Sequence, residues 1–260
     1  MKYCIVSMMF NNYEQIKHPI EIDDNCNYLF FTDNKDLKSD IWKIIYLPEF
    51  DTDNLTGIQK TYIFKYTLYK YIPNIEQYDY IVQLDASIQI YKSLRPIVEY
   101  MDKYKYDLSI ALHPERTNMI DEYNTWIEFG LLNSEYLNIF KKYITDYDFE
   151  TPGLCECSMK IYRNCKEVLN FIDDVHNILT FTNNNLDAND QCYFTYILSK
   201  YIDKLRINYH SCNLYNYSEY MKLFEHDTNE SRYANPQNYY IYNKFLNHII
   251  KITGDSEYKN

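Results

Sequence analysis

The sequence predicts an α/β protein: a single mixed sheet flanked by helices, with a C-terminal helical tail. Apolar segments with strand character alternate with segments of helical periodicity through the first two-thirds of the 260 residues. No internal repeat occurs, and no stretch is rich enough in Gly, Pro or Ser to act as a linker. A chain of this length buries a core without disulfide or metal support. We therefore expect one domain over residues 1–260, with its core over about 1–212 and an extension over about 213–260.

Three strands and one helix are predicted in the first 72 residues. The strands are the apolar runs Tyr3–Phe10, Tyr28–Asp33 and Trp42–Leu47. The segment Ile58–Ile72 is predicted to be a helix, because its apolar residues recur at helical spacing and Pro73 ends the run.

The middle of the chain continues the alternation. The central strand is the apolar run Ile81–Leu84, which ends on Asp85. A helix over Leu94–Tyr104 and a strand over Asp107–Leu112 follow. The segment Ile120–Tyr147 is mostly helical and polar, so we expect it to lie across the surface.

The last third is predicted to hold two more strands and three helices. In chain order these elements are a strand ending with Met159–Tyr162, an amphipathic helix over Val168–Leu179, a polar loop over Asn183–Asn189, a helix beginning at Asp190, a strand over Leu205–Tyr209 and a helix from about Tyr240 to Ile250.

The charge and the apolar segments exclude some classes of protein. A net charge of −11 argues against a nucleic-acid partner, because phosphates require a basic surface. No window approaches 18 consecutive apolar residues, and the apolar start lacks a signal-peptide core and cleavage site. We therefore expect a cytoplasmic protein with no transmembrane segment. Seven cysteines without a zinc-like spacing are typical of free thiols in a reducing compartment.

The segment from Tyr78 to Ile90 contains the first candidate for a functional site. Asp85 follows an apolar strand directly, and open α/β sheets bind ligands beyond the carboxyl ends of their strands. Asp85 is therefore a candidate ligand-binding residue. The alternative is an ordinary turn in which Asp85 and Ser87 bond to the local backbone.

A second polar group, His113-Pro114-Glu115-Arg116, follows the strand Asp107–Leu112, and Asp121-Glu122 comes soon after. Arginine forms bidentate hydrogen bonds with phosphate or carboxylate, so this group is a candidate anion-binding site. The alternative is a solvated turn with internal salt bridges.

A third group, Asp187 to Asp190 followed by Gln191, stands where a helix is predicted to begin. A carboxylate at this position commonly caps the helix, and a functional role requires one carboxylate to face a cavity.

Isolated cationic and imidazole residues complete the candidates. Lys60, Lys65 and Arg163 can each neutralise a phosphate or simply carry surface charge, and His210 at the end of a strand can bind a metal or serve a structural role. The sequence has no Gly-rich phosphate loop, which excludes P-loop and Rossmann dinucleotide sites. It also lacks the Gly-x-Ser-x-Gly elbow of common serine hydrolases.

In combination these groups resemble a known pattern. The segment Tyr78 to Ser87 looks like the Asp-x-Asp-type segment of GT-A glycosyltransferases. Leu84-Asp85-Ala86-Ser87-Ile88, then His113-Pro114-Glu115-Arg116, then Asp190-Gln191 are similar, in this order, to a family of glycosyltransferase-like domains once classed as of unknown function, the DUF616 type. The match covers roughly residues 55–200.

The resemblance implies a GT-A-like fold and transfer of a sugar from a nucleotide-diphosphate donor, first of all a UDP-sugar, to a hydroxyl group on a glycan or glycoprotein. It also implies Mn²⁺ or Mg²⁺ as a Lewis acid for the departing diphosphate. The implied metal ligands are Asp85, Ser87 and His210, and the implied bases for the acceptor are Asp190 first and Glu156 second. The donor-binding residues that it implies are Asp33, Lys60, Lys65, Asp85, Ser87, His113, Arg116, Arg163 and Gln191.

One position departs from the pattern. Ser87 stands where the second aspartate of Asp-x-Asp is expected, and a hydroxyl is a poor metal ligand. The metal is then bound through water, held weakly or absent. Ser87 and the 31 tyrosines also motivate an alternative, a non-catalytic carbohydrate- or partner-binding module on the same fold. A hydrolase is less favoured, because no carboxylate pair of fixed separation stands out.

Overall fold

The computed structural model describes residues 1–12, 14–51, 57–128, 135–181, 190–211 and 219–224. The predicted loop Asn183–Asn189, the predicted helix from Tyr240 to Ile250 and most of the predicted C-terminal extension lie outside these residues. The described strands are β1 Tyr3–Met9, β2 Cys26–Thr32, β3 Lys43–Tyr46, β4 Tyr80–Asp85, β5 Ile88–Ile90, β6 Leu108–Leu112, β7 Cys155–Arg163, β8 Ile207–Ser211 and β9 Met221–Leu223. The described helices are α1 Gly57–Lys65, α2 Arg95–Tyr104, α3 Met119–Glu128, α4 Glu135–Tyr143, α5 Lys166–Phe181 and α6 Asp190–Ser199.

Seven of these strands form one mixed sheet in the order β3-β2-β1-β4-β7-β6-β8. Strands β1 to β4 are parallel to one another, and β7 runs antiparallel to both of its neighbours, β4 and β6. Strands β6 and β8 are again parallel. The predicted α/β fold class, a mixed sheet with flanking helices, is confirmed.

The central strands are buried on both faces. Every residue of β1 is buried, which explains why its sequence is apolar except for Ser7 rather than alternating. In β4, Ile81 and Val82 belong to the separate cores on opposite faces of the sheet. The core containing Ile81 also includes residues of α1, α5 and α6, and we call this side the helix-rich face. The other core includes Val98 and Met101 of α2.

The segment Ile120–Tyr147 differs from its prediction as a polar surface segment. Tyr123 of α3 and Phe140 of α4 are buried, with ring centroids 5.2 Å apart. The apolar residues of the two helices lie on one side of each and complete the core, so the helices are polar only on their outer sides.

One further prediction from periodicity was wrong, and two short strands were missed. The helix predicted over Ile58–Ile72 ends at Lys65, and a 3₁₀ turn, Leu68–Tyr71, follows. The N–H of Thr67 donates to the carbonyl of Phe64 at 2.8 Å, a three-residue bond that tightens the chain here. Strands β5 and β9 were not predicted, because three residues are too short for periodicity to be recognised; they pair antiparallel with each other.

The sheet topology creates one functional edge. The carboxyl ends of β1, β2, β4, β6 and β8 and the beginning of β7 share it, because β7 alone runs in the opposite direction among the sheet's seven described strands. From β1 the chain adds β2 on one side and β4 on the other, so the strand order reverses between β1 and β4. Ligands of open α/β sheets bind at such a switch point.

No helix in the described part of the chain is both long and apolar enough to cross a lipid bilayer.

A network of hydrogen bonds around the buried carboxylate of Asp23 lies at the edge of the sheet where β1 and β2 begin. The guanidinium of Arg95 at the start of α2 donates two hydrogen bonds to Asp23, at 2.9 and 3.0 Å, and the hydroxyl of Tyr3 donates a third at 2.7 Å. Burial alone raises the pKa of Asp23, but the bonds from Arg95 and Tyr3 outweigh it and hold the pKa well below its usual range.

Replacing Asp23 by alanine should lower the free energy of unfolding by about 2–3 kcal/mol, because Arg95 and Tyr3 lose their buried partner. Since the pKa of Asp23 is lowered in the folded state, its stabilising contribution is present above the ordinary carboxyl pKa and is lost as the pH falls below it. The difference in the free energy of unfolding between the wild type and the variant, measured with urea, should therefore be constant above about pH 5 and shrink progressively as the pH falls below about 4. The matched control is Asp24→Ala at the exposed neighbouring position, which should change stability little.

Candidate functional site

Two ammonium–carboxylate pairs lie at the carboxyl edge around the switch point. The first joins Lys60 of α1 to Asp33, which directly follows β2; Nζ lies 2.6 Å from Oδ2. The carboxylate of Asp33 also accepts the backbone N–H of Asn11, at 2.9 Å, and Lys60 donates to the side-chain oxygen of Asn11. Both charged side chains are almost completely buried. This pair therefore ties the ends of β1 and β2 to α1.

The second involves Lys65, the last residue of α1, which contacts two carboxylates. Its Nζ lies 3.1 Å from Oδ1 of Asp85 and 3.3 Å from Oδ2 of Asp190. The hydroxyl of Tyr66 donates to Asp190 at 2.7 Å. The side chains of Lys65 and Asp190 are buried, whereas that of Asp85 is 24% exposed. Asp85 is therefore the member of this cluster that faces solvent.

The electrostatics keep Lys65 and Asp190 ionised. Burial by itself favours the neutral amine of Lys65, but the charges of Asp190 and Asp85 raise its pKa well above the ordinary value. Burial likewise raises the pKa of Asp190, yet the charges of Lys65 and Lys160 bring it below the ordinary value. The pair therefore holds a cation and an anion together in a buried setting.

Lys160 of β7 is a third lysine at this site, which the sequence predictions missed. It is buried, donates to the carbonyl of Cys157 at 2.9 Å, and lies over the rings of Tyr66 and Phe194. Burial and the nearby charge of Lys65 lower the pKa of Lys160 to about 8. A lysine within a strand of apolar residues was a readable signal, because buried lysines require a special environment.

Gln83 lies two residues before Asp85 and therefore on the same face of β4. It is buried, and its Nε2 has no hydrogen-bond partner among the residues that the structure describes. A buried amide donor without a partner is unusual and marks a place where a bound acceptor group or water would be stabilised.

The predicted group at His113 forms a neighbouring cluster. The backbone N–H groups of Glu115 and Arg116 donate to Nδ1 of His113, at 3.1 and 3.0 Å. The guanidinium of Arg116 forms an ion pair with Glu122, which also accepts the indole N–H of Trp126 at 2.8 Å. Burial raises the pKa of Glu122, and the charge of Asp190 adds to this effect, so the two clusters lie within electrostatic range.

Three other predicted residues lie near this edge with other partners. Glu156 of β7 is buried and accepts hydrogen bonds from the backbone and hydroxyl of Ser158, at 3.1 and 2.5 Å. Gln191 follows Asp190 in the first turn of α6. Ser87 is buried, and its carbonyl accepts the N–H of Phe224 at 2.9 Å, which joins this turn to the end of β9.

Two predicted residues do not belong to the cluster around Asp85. Arg163 ends β7, and because β7 is antiparallel it lies opposite Tyr80, at the amino-terminal end of β4. Five residues of strand, about 17 Å, separate that end from Asp85. Arg163 instead pairs with Asp107 at 3.2 Å. His210 lies on β8, three strand spacings or about 14 Å from β4, and is paired with Ala111 of the opposite core.

The residues present do not fit a divalent metal. Of the predicted ligands, Asp85 and Ser87 lie in the turn between β4 and β5, but His210 lies three strands away. The described residues contain no group of three His, Cys, Asp or Glu side chains placed to hold an ion. The two carboxylates that do converge, Asp85 and Asp190, already share the ammonium of Lys65.

Sequence reasoning also missed Asn11 and Tyr66. The Asn11-Asn12 pair after β1 carried a signal, since both residues have positive φ, at 56° and 50°, a conformation that asparagine tolerates well. Tyr66 carried none, because nothing local separates it from the other 30 tyrosines.

Known proteins were compared with the chain in sequence and in structure. No family model and no curated protein matches the chain, so membership of the glycosyltransferase-like family named above is not supported. Among solved structures, the chain is similar to mouse xyloside xylosyltransferase 1 in its apo form, with 10% identity and a TM-score of 0.41. The alignment covers 82% of this chain and 86% of that chain.

Replacing Lys160 by methionine should change how stability depends on pH. The pKa of Lys160 is about 8 in the folded state and the ordinary 10.5 in the unfolded chain. Between these values the unfolded chain holds the proton and the folded chain does not, so raising the pH favours folding. The free energy of unfolding of the wild type minus that of Lys160→Met should rise by about 3 kcal/mol from pH 8 to 10.5.

Urea unfolding at a series of pH values measures this difference. Ionisation of cysteines and tyrosines affects both proteins alike and cancels in the subtraction. A difference that stays constant over this range would contradict the assignment of a lowered pKa to Lys160.

Proposed function

We propose that this protein is a glycosyltransferase, which transfers a sugar from a nucleotide-diphosphate donor, first of all a UDP-sugar, to a hydroxyl group of a glycan or glycoprotein. The observation that carries the proposal is the cluster of Asp85, Lys65 and Asp190 at the switch point of the sheet. It is supported by the order of the Asp85, His113–Arg116 and Asp190 motifs in the sequence.

The cluster suits the two chemical parts of such a donor. Carboxylates accept hydrogen bonds from ribose and sugar hydroxyl groups, and Asp85 has the exposure to do so. A diphosphate requires cations and N–H donors. Lys65 and Lys160 supply the cations, and Nε2 of Gln83, which has no partner among the described residues, is a donor on the same face. The pair of Asp33 and Lys60 borders this cluster on the side of β2.

The reaction breaks the bond between the anomeric carbon of the donor sugar and the diphosphate oxygen. The nucleoside diphosphate leaves with the electron pair of that bond. A new bond forms between that carbon and the acceptor oxygen, whose proton is released. The best-supported role of the site residues is stabilisation of the negative charge on the departing diphosphate.

The two predicted acceptor bases, Asp190 and Glu156, are both engaged by other residues of the protein. Asp190 is buried, bound by Lys65 and Tyr66, and has a lowered pKa, so it is a weak base. Its geometry favours a positioning role, in which it holds Lys65. Glu156 is also buried and hydrogen-bonded, to Ser158.

The same observations favour one alternative, a binding module on this fold without turnover. Neither candidate base is exposed, and the metal ligands that the sequence predicted are not assembled among the described residues. Such a module would bind a glycan while transferring no sugar.

Replacing Asp85 by alanine should weaken UDP binding at least tenfold, because a charged hydrogen-bond acceptor contributes about 1.5–3 kcal/mol. Isothermal titration with UDP, and with UDP- and GDP-sugars, measures this effect, and product analysis with glycan acceptors measures transfer. The matched control is Asp79→Ala, which removes an exposed aspartate at the other end of the same strand segment and should leave binding unchanged.

Absence of binding to every nucleotide and nucleotide sugar would contradict the proposed function. Glycan binding that persists in Asp85→Ala, with no transfer by the wild type, would favour the binding module instead.

A further inference from the structure

The position between Asp85 and Asp190 is occupied by a side chain of the protein itself. Lys65 Nζ lies 3.1 Å from Oδ1 and 3.3 Å from Oδ2 of Asp85, and 3.3 Å from Oδ2 of Asp190. The two carboxylates come from β4 and α6, which are more than 100 residues apart in sequence. Their oxygens converge on one point, and the ammonium is at that point.

A divalent cation at this point would compete directly with Lys65. Mg²⁺ binds carboxylate oxygens at about 2.0–2.1 Å, well inside the space that the ammonium fills. The ammonium would have to leave both carboxylates, which hold it at 3.1 and 3.3 Å. The side chain of Lys65 is 4% exposed, so it lies almost entirely within the protein.

We propose that the ammonium of Lys65 is the cation of this site. It neutralises the negative charge of the donor diphosphate, a task for which a metal ion would otherwise be needed. This inference rests on the proposed function and narrows it to a donor site that does not use a divalent metal. Asp85 and Asp190 are then the residues that hold the ammonium in place. Asp85, which the Asp-x-Asp pattern would make a metal ligand, here binds Lys65 instead.

The surroundings of Lys65 are consistent with this role. An ammonium has three N–H donors and can bind a phosphate oxygen without leaving both carboxylates. Asp85 opens the cluster to solvent, so a ligand reaches the ammonium past this side chain. Lys160 adds a second cation close by, and Gln83 a neutral donor. A serine at position 87 is consistent with this role, because a site without a metal does not require an aspartate there.

The first test is titration of the wild-type protein with UDP in the presence of EDTA and, separately, of Mn²⁺. We expect the same affinity within about twofold in the two conditions. Binding that requires Mn²⁺, or is tenfold tighter with it, would overturn the inference and leave the proposed function standing. Failure to bind UDP in either condition would overturn both.

The second test measures the metal directly. Titration of the nucleotide-free wild type with Mn²⁺, followed by electron paramagnetic resonance of the free ion, should show no stoichiometric site at micromolar concentrations. A site that is lost in Asp85→Asn would contradict the inference.

The third test removes the ammonium. Lys65→Met should weaken UDP binding at least tenfold in EDTA, since a charge-assisted contact is lost. Because this variant leaves two carboxylates without their cation, Lys65→Met/Asp190→Asn serves as a charge-balanced second variant, with folding checked by circular dichroism. Both should show the loss.

Lys70 supplies the matched control. It forms a comparable ion pair with Asp173, 2.9 Å long, but at the surface. Lys70→Met should bind UDP like the wild type. Wild-type affinity in the charge-balanced Lys65 variant would contradict the role assigned to Lys65.

Discussion

The arrangement at the carboxyl edge depends on one constraint: a buried ammonium keeps its full charge only beside an opposite charge. Lys65 satisfies this requirement with two, and in doing so it joins the end of α1 to β4 and to the first turn of α6. Lys60 satisfies it with Asp33 and joins α1 to β2. Loss of Asp33, or of both partners of Lys65, would leave a charge in an apolar setting, which is far more costly than loss of a surface pair.

These two pairs explain how α1 lies on the sheet. Lys60 and Lys65 are five residues apart, a rise of about 7.5 Å along the helix, and their partners lie at the ends of β2 and β4, two strand spacings or about 9.6 Å apart. The helix thus runs across the carboxyl edge, over the end of β1 that separates the two partners. The charges that line the switch point of the sheet are therefore already balanced within the protein. The exposed part of Asp85 and the amide of Gln83 are the groups there that can bind a ligand.

Local pattern was sufficient for most of the sheet. Strands β1 and β4 are mostly apolar because both of their faces are buried, and such runs are visible without any knowledge of neighbours. The pattern failed where an element is short or serves two requirements. Strands β5 and β9 have three residues each and depend on each other, and α1 stops at Lys65 although the apolar spacing continues to Ile72. In α3 and α4, a polar composition concealed the buried side of each helix.

The sequence by itself determined that the chain is α/β, that Asp33 and Asp85 stand at strand ends and that Asp190 opens a helix. Each of these follows from residue type and position within a single element. Only the tertiary structure decided which charges meet, because strand order and direction are set by pairing between distant segments. The antiparallel course of β7 carries Arg163 to the far edge and brings Lys160 under the site, and the place of β8 keeps His210 three strands from Asp85. The pairing of Lys65 with Asp85 and Asp190 likewise required α1, β4 and α6 to be packed together, since no spacing along the chain encodes that three-way contact.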